Sequence, residues 1–145
     1  MRHRAKATRV HSAPILGGSR PAQRVMLAPP TIEWRDGAVY ILDQRRLPHA
    51  IEILRCDSVG DVADAIKTLA IRGAPALGVV AAYAVALGAA RLEAEPHDTF
   101  VERLDAIVDG MVATRPTAVN LSWAAEMMRR TVARPRPEPS RLVDQ

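Results

Sequence analysis

The stretch Ile71-Arg-Gly-Ala-Pro75, followed by the apolar run ALGVVAAYAVALGAA over residues 76–90, decides most of this fold. Proline suits the first position of a helix, because its φ is already fixed and the N–H that it lacks would have no partner there. The apolar run is dominated by Ala and Gly, whereas membrane insertion favours Leu, Ile, Phe and Val. We therefore predict a helix over about residues 75–91 that is buried on most faces, rather than a membrane span.

Arginines stand at the start of this helix and of a second apolar helix. Arg72 and Gly73 precede the first, and Arg115-Pro116-Thr117 precedes the second. The free N–H groups of a helix start and the positive end of its dipole attract anions. A guanidinium beside them binds phosphate through two parallel hydrogen bonds. Two such starts in one small domain indicate a site for a sugar phosphate or a similar anion.

The net charge of +4 comes from the N-terminal segment and not from the rest of the chain. The first thirty residues contain six basic side chains and no acidic one, which leaves 14 Lys and Arg against 16 Asp and Glu in the remainder. The folded part therefore lacks the basic surface that nucleic-acid binding requires. We expect no nucleic-acid partner and no membrane partner.

The 145 residues suffice for one domain with a core, between two terminal segments of different composition. Residues 1–27 are Arg-rich and lack a secretory signal, so we predict a disordered basic leader, with an organelle transit peptide as the alternative. Residues 134–145 begin with alternating Arg and Pro, and we predict a disordered tail. The folded domain is then expected over residues 28–133.

The first half of that domain is predicted to be a β meander of about three strands. Residues 31–34 and 38–42 are β-prone and flank Asp36-Gly37, which is a strong hairpin signal. A third strand is expected over residues 51–54. Cys56, which follows it, is the only cysteine and therefore forms no internal disulfide. We expect this thiol to pack as a small buried hydrophobe.

Four helices are predicted after the meander, which gives an α+β fold. Ser58 and Asp61 form a capping box for the first helix, with Val62, Ile66 and Leu69 as its apolar stripe. The Ala-rich helix is the second. Thr99 and Glu102 are expected to cap the third, which extends to about residue 113. The fourth, over about residues 118–132, has its apolar stripe at Val119, Trp123 and Met127.

The sequence contains no cluster of His, Cys and carboxylate residues at metal-ligand spacing. It also has no nucleophile elbow, P-loop or dinucleotide-binding motif. The residues alone therefore predict an α-rich domain that binds an anion. They do not identify a reaction.

An ordered set of short motifs resembles one known family. The motifs are Thr31-Ile-Glu-Trp-Arg35, Leu42-Asp-Gln-Arg45, Leu47-Pro48, Ile71-Arg-Gly-Ala-Pro-Ala76, Gly78, Arg115-Pro-Thr-Ala-Val-Asn-Leu121 and Trp123. Together they resemble the N-terminal domain of the methylthioribose-1-phosphate isomerases, a family related to the initiation factor 2B regulatory subunits. The resemblance extends over about residues 31–132.

This resemblance implies a cytoplasmic enzyme of methionine salvage, a branch of amino-acid biosynthesis, that converts an aldose phosphate to a ketose phosphate without metal or organic cofactor. It implies that Arg72, Gly73, Ala74 and Arg115 bind the sugar-phosphate substrate. The family's catalytic cysteine and aspartate lie in a C-terminal Rossmann-like domain that has no counterpart in this chain, and Cys56 does not match that cysteine. The resemblance therefore implies a fragment that is inactive alone, whose partners are the missing C-terminal domain and, in the full-length family, a second copy in a homodimer.

Two alternatives fit the same motifs. One keeps the fold and changes the sugar, as in ribose-1,5-bisphosphate or 5-deoxyribose-1-phosphate isomerases. The other is a non-catalytic regulatory or interaction domain that resembles the initiation-factor subunits. A frameshifted gene product and a natural stand-alone domain are the two further explanations of the chain's length.

Overall fold

The computed structural model describes residues 29–134 and, for the backbone alone, residues 6–8. Its elements in chain order are β1 Lys6–Thr8, β2 Ile32–Arg35, β3 Ala38–Leu42, β4 Ile53–Cys56, α1 Val59–Lys67, α2 Ala74–Arg91, α3 His97–Thr114 and α4 Val119–Val132. The predicted α+β class, with a meander of three strands before four helices, is confirmed. The predicted tail beyond residue 134 and most of the predicted leader lie outside the described residues.

The strands form one antiparallel sheet in the order β1-β4-β3-β2. The β2–β3 hairpin turns at Asp36 and Gly37, both at positive φ (52° and 70°), as the Asp-Gly signal predicted. Strand β1 is an additional strand, because it lies in the segment for which we predicted no structure. It pairs with the edge of β4 that the other strands leave free.

One face of the sheet packs on the helices. Val39 pairs with Cys56 and Ile41 with Leu54, and all four side chains are buried. On the opposite face Tyr40 lies beside Arg55, and the Arg35 guanidinium stacks 4.1 Å from the Tyr40 ring centre. The alternation is that of a sheet with one face in the core and the other exposed.

Helix α1 begins as predicted and ends in a left-handed turn. The Ser58 hydroxyl accepts from the Asp61 N–H while the Asp61 carboxylate accepts from the Ser58 N–H, which is a complete capping box. Leu69 is not part of the helix stripe: it lies beyond the helix at φ 60° and is 45% exposed. The Leu69 and Ala70 N–H groups donate back to Ile66 and Ala65, the hydrogen bonds of a Schellman motif. This turn directs the chain towards Arg72.

Helix α2 lies at the centre of the domain, against the sheet and the other three helices. It is the one described helix long and apolar enough to cross a membrane by length and composition. Seven of its eighteen residues are buried in the core, which accounts for its apolar composition. It begins at Ala74, so that Pro75 occupies its second position and not, as predicted, its first.

Two predictions for the later helices are wrong. Helix α3 begins at His97 after Pro96, whose carbonyl accepts the Phe100 N–H, so Thr99 lies inside the helix and caps nothing. In α4 the stripe of Val119, Trp123 and Met127 is exposed by 77%, 65% and 41%. The face that packs on the core carries Leu121 and two small residues, Ala124 and Ala125. Small side chains allow the close approach that α2 requires.

Candidate functional site

Helices α2 and α4 run in the same direction, so their N-termini lie at one end of the helical layer. A Cβ added at Gly78, in the second turn of α2, would lie 3.2 Å from the Asn120 carbonyl oxygen and 3.7 Å from the Ala124 Cβ. At the other end of both helices, Ala89 and Ala90 border the same groove as Val132. The start of α3, at His97 and Phe100, borders that same groove, so α3 runs antiparallel to both helices and its C-terminus reaches the end where α2 and α4 begin.

Arg72, Gly73 and Ala74 form the exposed entrance to α2. Gly73 is the N-cap at φ 94°, a backbone conformation that favours glycine, and it has no side chain with which to cap the helix. A Cβ at this position would meet no atom within 4 Å, so the space in front of the helix start is open. The arrangement leaves the first backbone N–H groups of α2 accessible to a ligand.

Arg115 lies at the junction between α3 and α4, where it is half-buried. Its N–H donates to Val112 and its carbonyl accepts from Ala118, so the turn over residues 115–118 is closed by backbone hydrogen bonds. The structure thus brings the second predicted arginine to the same end of the helical layer as Arg72.

The side chains of Arg72 and Arg115 have no carboxylate partner within residues 29–134. Seven other arginines in that range form ion pairs with Asp or Glu: Arg35, Arg45, Arg46, Arg55, Arg103, Arg129 and Arg130. The sequence around both helix starts is also free of acidic residues, over residues 65–92 and 110–125. Both guanidiniums therefore remain available to an external anion.

The sequence analysis assigned no role to the turn over Asp43, Gln44 and Arg45, which the structure places against Arg72. The Gln44 side-chain Oε1 accepts the Arg72 N–H at 3.1 Å, and the Gln44 carbonyl lies 3.5 Å from the Arg72 Nη2. Asp43 is buried and pairs with Arg45, which lowers the pKa of its carboxyl chiefly through the Arg45 side-chain hydrogen bonds. An Asp two residues before an Arg, directly after a strand, is the sequence signal that points to this turn.

Cys56 lies in the core and not at this site. Its side chain is fully buried in β4, and burial raises the pKa of its thiol to about 12. The expectation that it packs as a hydrophobe is confirmed. A thiol with so high a pKa is a poor nucleophile at neutral pH.

The end of the layer with Arg72 is an open surface. A groove between α3 and α4 starts beside Arg115 and is lined by Val112, Pro116, Trp123 and Arg129, among others, but not by Arg72 or Gly73. The exposure of residues 72–75 means that a ligand bound there would keep one side in solvent. Enclosure of such a ligand requires a second surface.

Comparisons with known proteins place these features in context. A family model described as "Initiation factor 2 subunit family" matches residues 70–141. The chain is similar to methylthioribose-1-phosphate isomerases: 53% identical over 104 residues to that of Ectopseudomonas mendocina (strain ymp) and 50% over 103 residues to that of Geobacter metallireducens. Each match covers 71% of this chain.

Two solved structures are similar as well. The 5-methylthioribose 1-phosphate isomerase from Pyrococcus horikoshii OT3 matches 74% of this chain with a TM-score of 0.66 and 31% identity. The translation initiation factor eIF-2B delta subunit from A. fulgidus matches 71% with a TM-score of 0.63 and 38% identity. The chain spans only about a third of these proteins: 28% and 30% of the two bacterial isomerases and 34% of each solved chain.

Proposed function

We propose that this chain, which belongs to the initiation factor 2 subunit family, is the N-terminal, substrate-binding part of a methylthioribose-1-phosphate isomerase of methionine salvage. The identity of about 50% to several bacterial methylthioribose-1-phosphate isomerases supports the proposal. The observation that carries it is the pair of arginines, Arg72 and Arg115, that lie at one end of the helical layer and have no carboxylate partner in the described part of the chain.

The proposed role of this chain is to bind the phosphate of the sugar. Arg72 and Arg115 supply charge, and the backbone of Gly73 and Ala74 supplies N–H groups at the positive end of the α2 dipole. Charge-assisted hydrogen bonds from both guanidiniums then fix the position of the phosphate relative to the sugar ring. The conversion of aldose to ketose moves a proton, and we assign the groups that move it to the part of the relatives that this chain does not span.

The second proposed component is a covering domain. A substrate bound at this open site would have one side in water and, among the residues that the structure describes, no acid or base beside its sugar ring. Isomerisation needs an acid and a base at fixed distances from the reacting carbons, and a second domain over the site would supply them. The proposal therefore includes a Rossmann-like C-terminal domain over this surface, a homodimer of the full-length protein, a cytoplasmic location, and no cofactor. This chain alone is expected to bind the sugar phosphate weakly and to catalyse nothing.

A hybrid enzyme tests the activity. Residues 29–134 replace the corresponding part of the Geobacter metallireducens isomerase, and turnover of methylthioribose 1-phosphate is measured. The hybrid should be active, while Arg72→Ala and Arg115→Ala should each lower kcat/KM by roughly 10- to 100-fold, the worth of one charge-assisted hydrogen bond. Arg103→Ala, which removes a guanidinium paired with Glu95 far from the site, is the control and should have little effect.

The hybrid also separates the alternatives. If the hybrid turns over ribose 1,5-bisphosphate or 5-deoxyribose 1-phosphate in place of methylthioribose 1-phosphate, the substrate is a different sugar phosphate and the proposed phosphate site stands. A folded hybrid that turns over none of these sugars, and in which both alanine variants behave like wild type, would favour the regulatory domain that the similarity to the initiation-factor subunit suggests.

A further inference from the structure

The loop that follows β3 is held by an ion pair between the buried Asp43 carboxylate and the partly exposed Arg45 guanidinium. The Asp43 carboxylate is 2% exposed, and it accepts hydrogen bonds from the Arg45 Nε at 2.7 Å, the Arg45 Nη2 at 2.6 Å and the Arg45 N–H at 3.1 Å. The Asp43 N–H donates to the Glu52 carbonyl at 2.8 Å, which ties the loop to the residues before β4. A buried carboxylate with this many donors has a fixed position, and it therefore fixes the residue beside it.

Gln44, the residue between the two partners, connects this fixed loop to the entrance of α2. Its N–H donates to the Ala70 carbonyl at 2.9 Å, and its side-chain Oε1 accepts the Arg72 N–H at 3.1 Å. Its own carbonyl lies 3.5 Å from the Arg72 Nη2. Ala70 is in turn bonded to the end of α1 through the Ala65 carbonyl. The backbone before Arg72 is thus held from two sides.

This connection matters because only Gly73 separates Arg72 from the helix. Gly73 has a wide range of accessible backbone angles. Among the loop and cap bonds of residues 29–134, its only backbone hydrogen bond is the one that its carbonyl accepts from the Leu77 N–H within α2. Without a bond at Arg72, the guanidinium and the first N–H groups of α2 would lose their fixed relative position. The Gln44 amide also takes up the Arg72 N–H without adding charge, whereas a carboxylate at this position would repel an anion bound to Arg72.

We propose that Gln44 is a positioning residue for the phosphate site: through the Arg72 N–H it sets where the Arg72 guanidinium stands relative to the start of α2, and Asp43 and Arg45 hold Gln44 in place. The inference rests on the proposed function, because it assigns the control of that same site. It adds a residue outside the two helix starts and predicts that a neutral acceptor is needed there.

The experiment uses the full chain and two variants, with inorganic phosphate and ribose 1-phosphate as probes. Gln44→Met keeps the length of the side chain and removes the acceptor, while Gln44→Glu keeps the acceptor and adds a charge. Two quantities are measured for all three proteins: the rate of amide hydrogen exchange at Arg72, and the affinity for each probe. The affinity is obtained from the NMR shift changes of Gly73 and Ala74 on titration. The thermal midpoint is recorded to verify folding.

Gln44→Met should accelerate exchange of the Arg72 amide and weaken binding of both probes by roughly 2- to 10-fold, the worth of one neutral hydrogen bond. Gln44→Glu should keep the slow exchange but weaken binding at pH 7 at least as much, and this loss should diminish as the pH falls below about 5, where the new carboxyl takes up a proton. A structural role alone would not produce that pH dependence.

Two results would overturn the inference in distinguishable ways. Wild-type chain that binds both probes, together with variants of unchanged affinity, would remove Gln44 from the site and leave the proposed function intact. Wild-type chain that binds neither probe at millimolar concentration would overturn the phosphate site itself and this inference with it.

Discussion

Gly78 is the position at which a small change should most directly test the packing of the two helix starts. A Cβ there would lie 3.2 Å from the Asn120 carbonyl oxygen, closer than most real Cβ contacts, and 3.7 Å from the Ala124 Cβ. The oxygen belongs to the backbone of α4 and moves only if that helix moves. Gly78→Val should therefore push α4, and with it the turn that carries Arg115, away from α2.

The magnitude follows from two opposing effects. Overpacking of a close contact costs about 1–3 kcal/mol. Replacement of glycine by valine inside a helix returns a few tenths of a kcal/mol through helix propensity. The net loss of about 1–2.5 kcal/mol corresponds to a fall of roughly 4–15 °C in Tm for a domain of this size.

Thermal unfolding followed by circular dichroism at 222 nm measures this loss. Gly110→Val is the matched control, because a Cβ at Gly110 in α3 would meet no atom within 4 Å. The control should melt at or slightly above the wild-type temperature. A Gly78→Val protein that melts together with the control would refute the close approach of α2 and α4 and the arrangement of the site derived from it.

Three further predictions concern the core and the surface. Asp43→Asn should destabilise the chain by about 1.5–3 kcal/mol at neutral pH. Because the folded-state pKa of Asp43 is lowered, this stabilisation is present above pH 4 and is lost in more acidic solution. Denaturant titrations of wild type and variant should therefore converge in acidic solution. The Cys56 thiol, with its pKa raised to about 12, should react with iodoacetamide at pH 8 only when the chain unfolds, and rapid modification of the native chain would contradict its burial. Because the thiol of the unfolded chain ionises near pH 8.5, the free energy of unfolding should fall as the pH rises above that value. The exposed apolar side chains Trp123 and Met127 on α4 should make the chain self-associate. Trp123→Ser combined with Met127→Ser should reduce this self-association in sedimentation velocity without lowering Tm, whereas a loss of folding would show that this face belongs to the core.

Local signals in the sequence were sufficient for the elements whose ends depend on short-range bonds. Ser58 and Asp61 specified the start of α1, because both partners of a capping box lie within one turn. Asp36-Gly37 specified the hairpin, since few residue pairs adopt two successive positive φ angles. Arg72 and Gly73 were likewise located correctly at the entrance of α2, although their role in substrate binding stays a prediction.

The face of α4 that packs on the core was not decided by its own sequence. The spacing of Val119, Trp123 and Met127 predicts an apolar stripe, but the buried residues are Leu121, Ala124 and Ala125. At the contact with Gly78 of α2, the position of Ala124 leaves room only for a small side chain. Packing volume between two helices is a property of both partners, and periodicity along one helix does not contain it.

The same distinction separates the two parts of the candidate site. The sequence by itself determined the open helix start at residues 71–75, because an arginine, a glycine and a proline act there within a few bonds of one another. Only the tertiary structure brought Gln44 to Arg72, across 28 residues, and placed Arg115 at the same end of the helical layer. Both juxtapositions depend on how the sheet and three helices pack together, and hydrogen bonds between residues so far apart exist only after that packing has brought their backbones together.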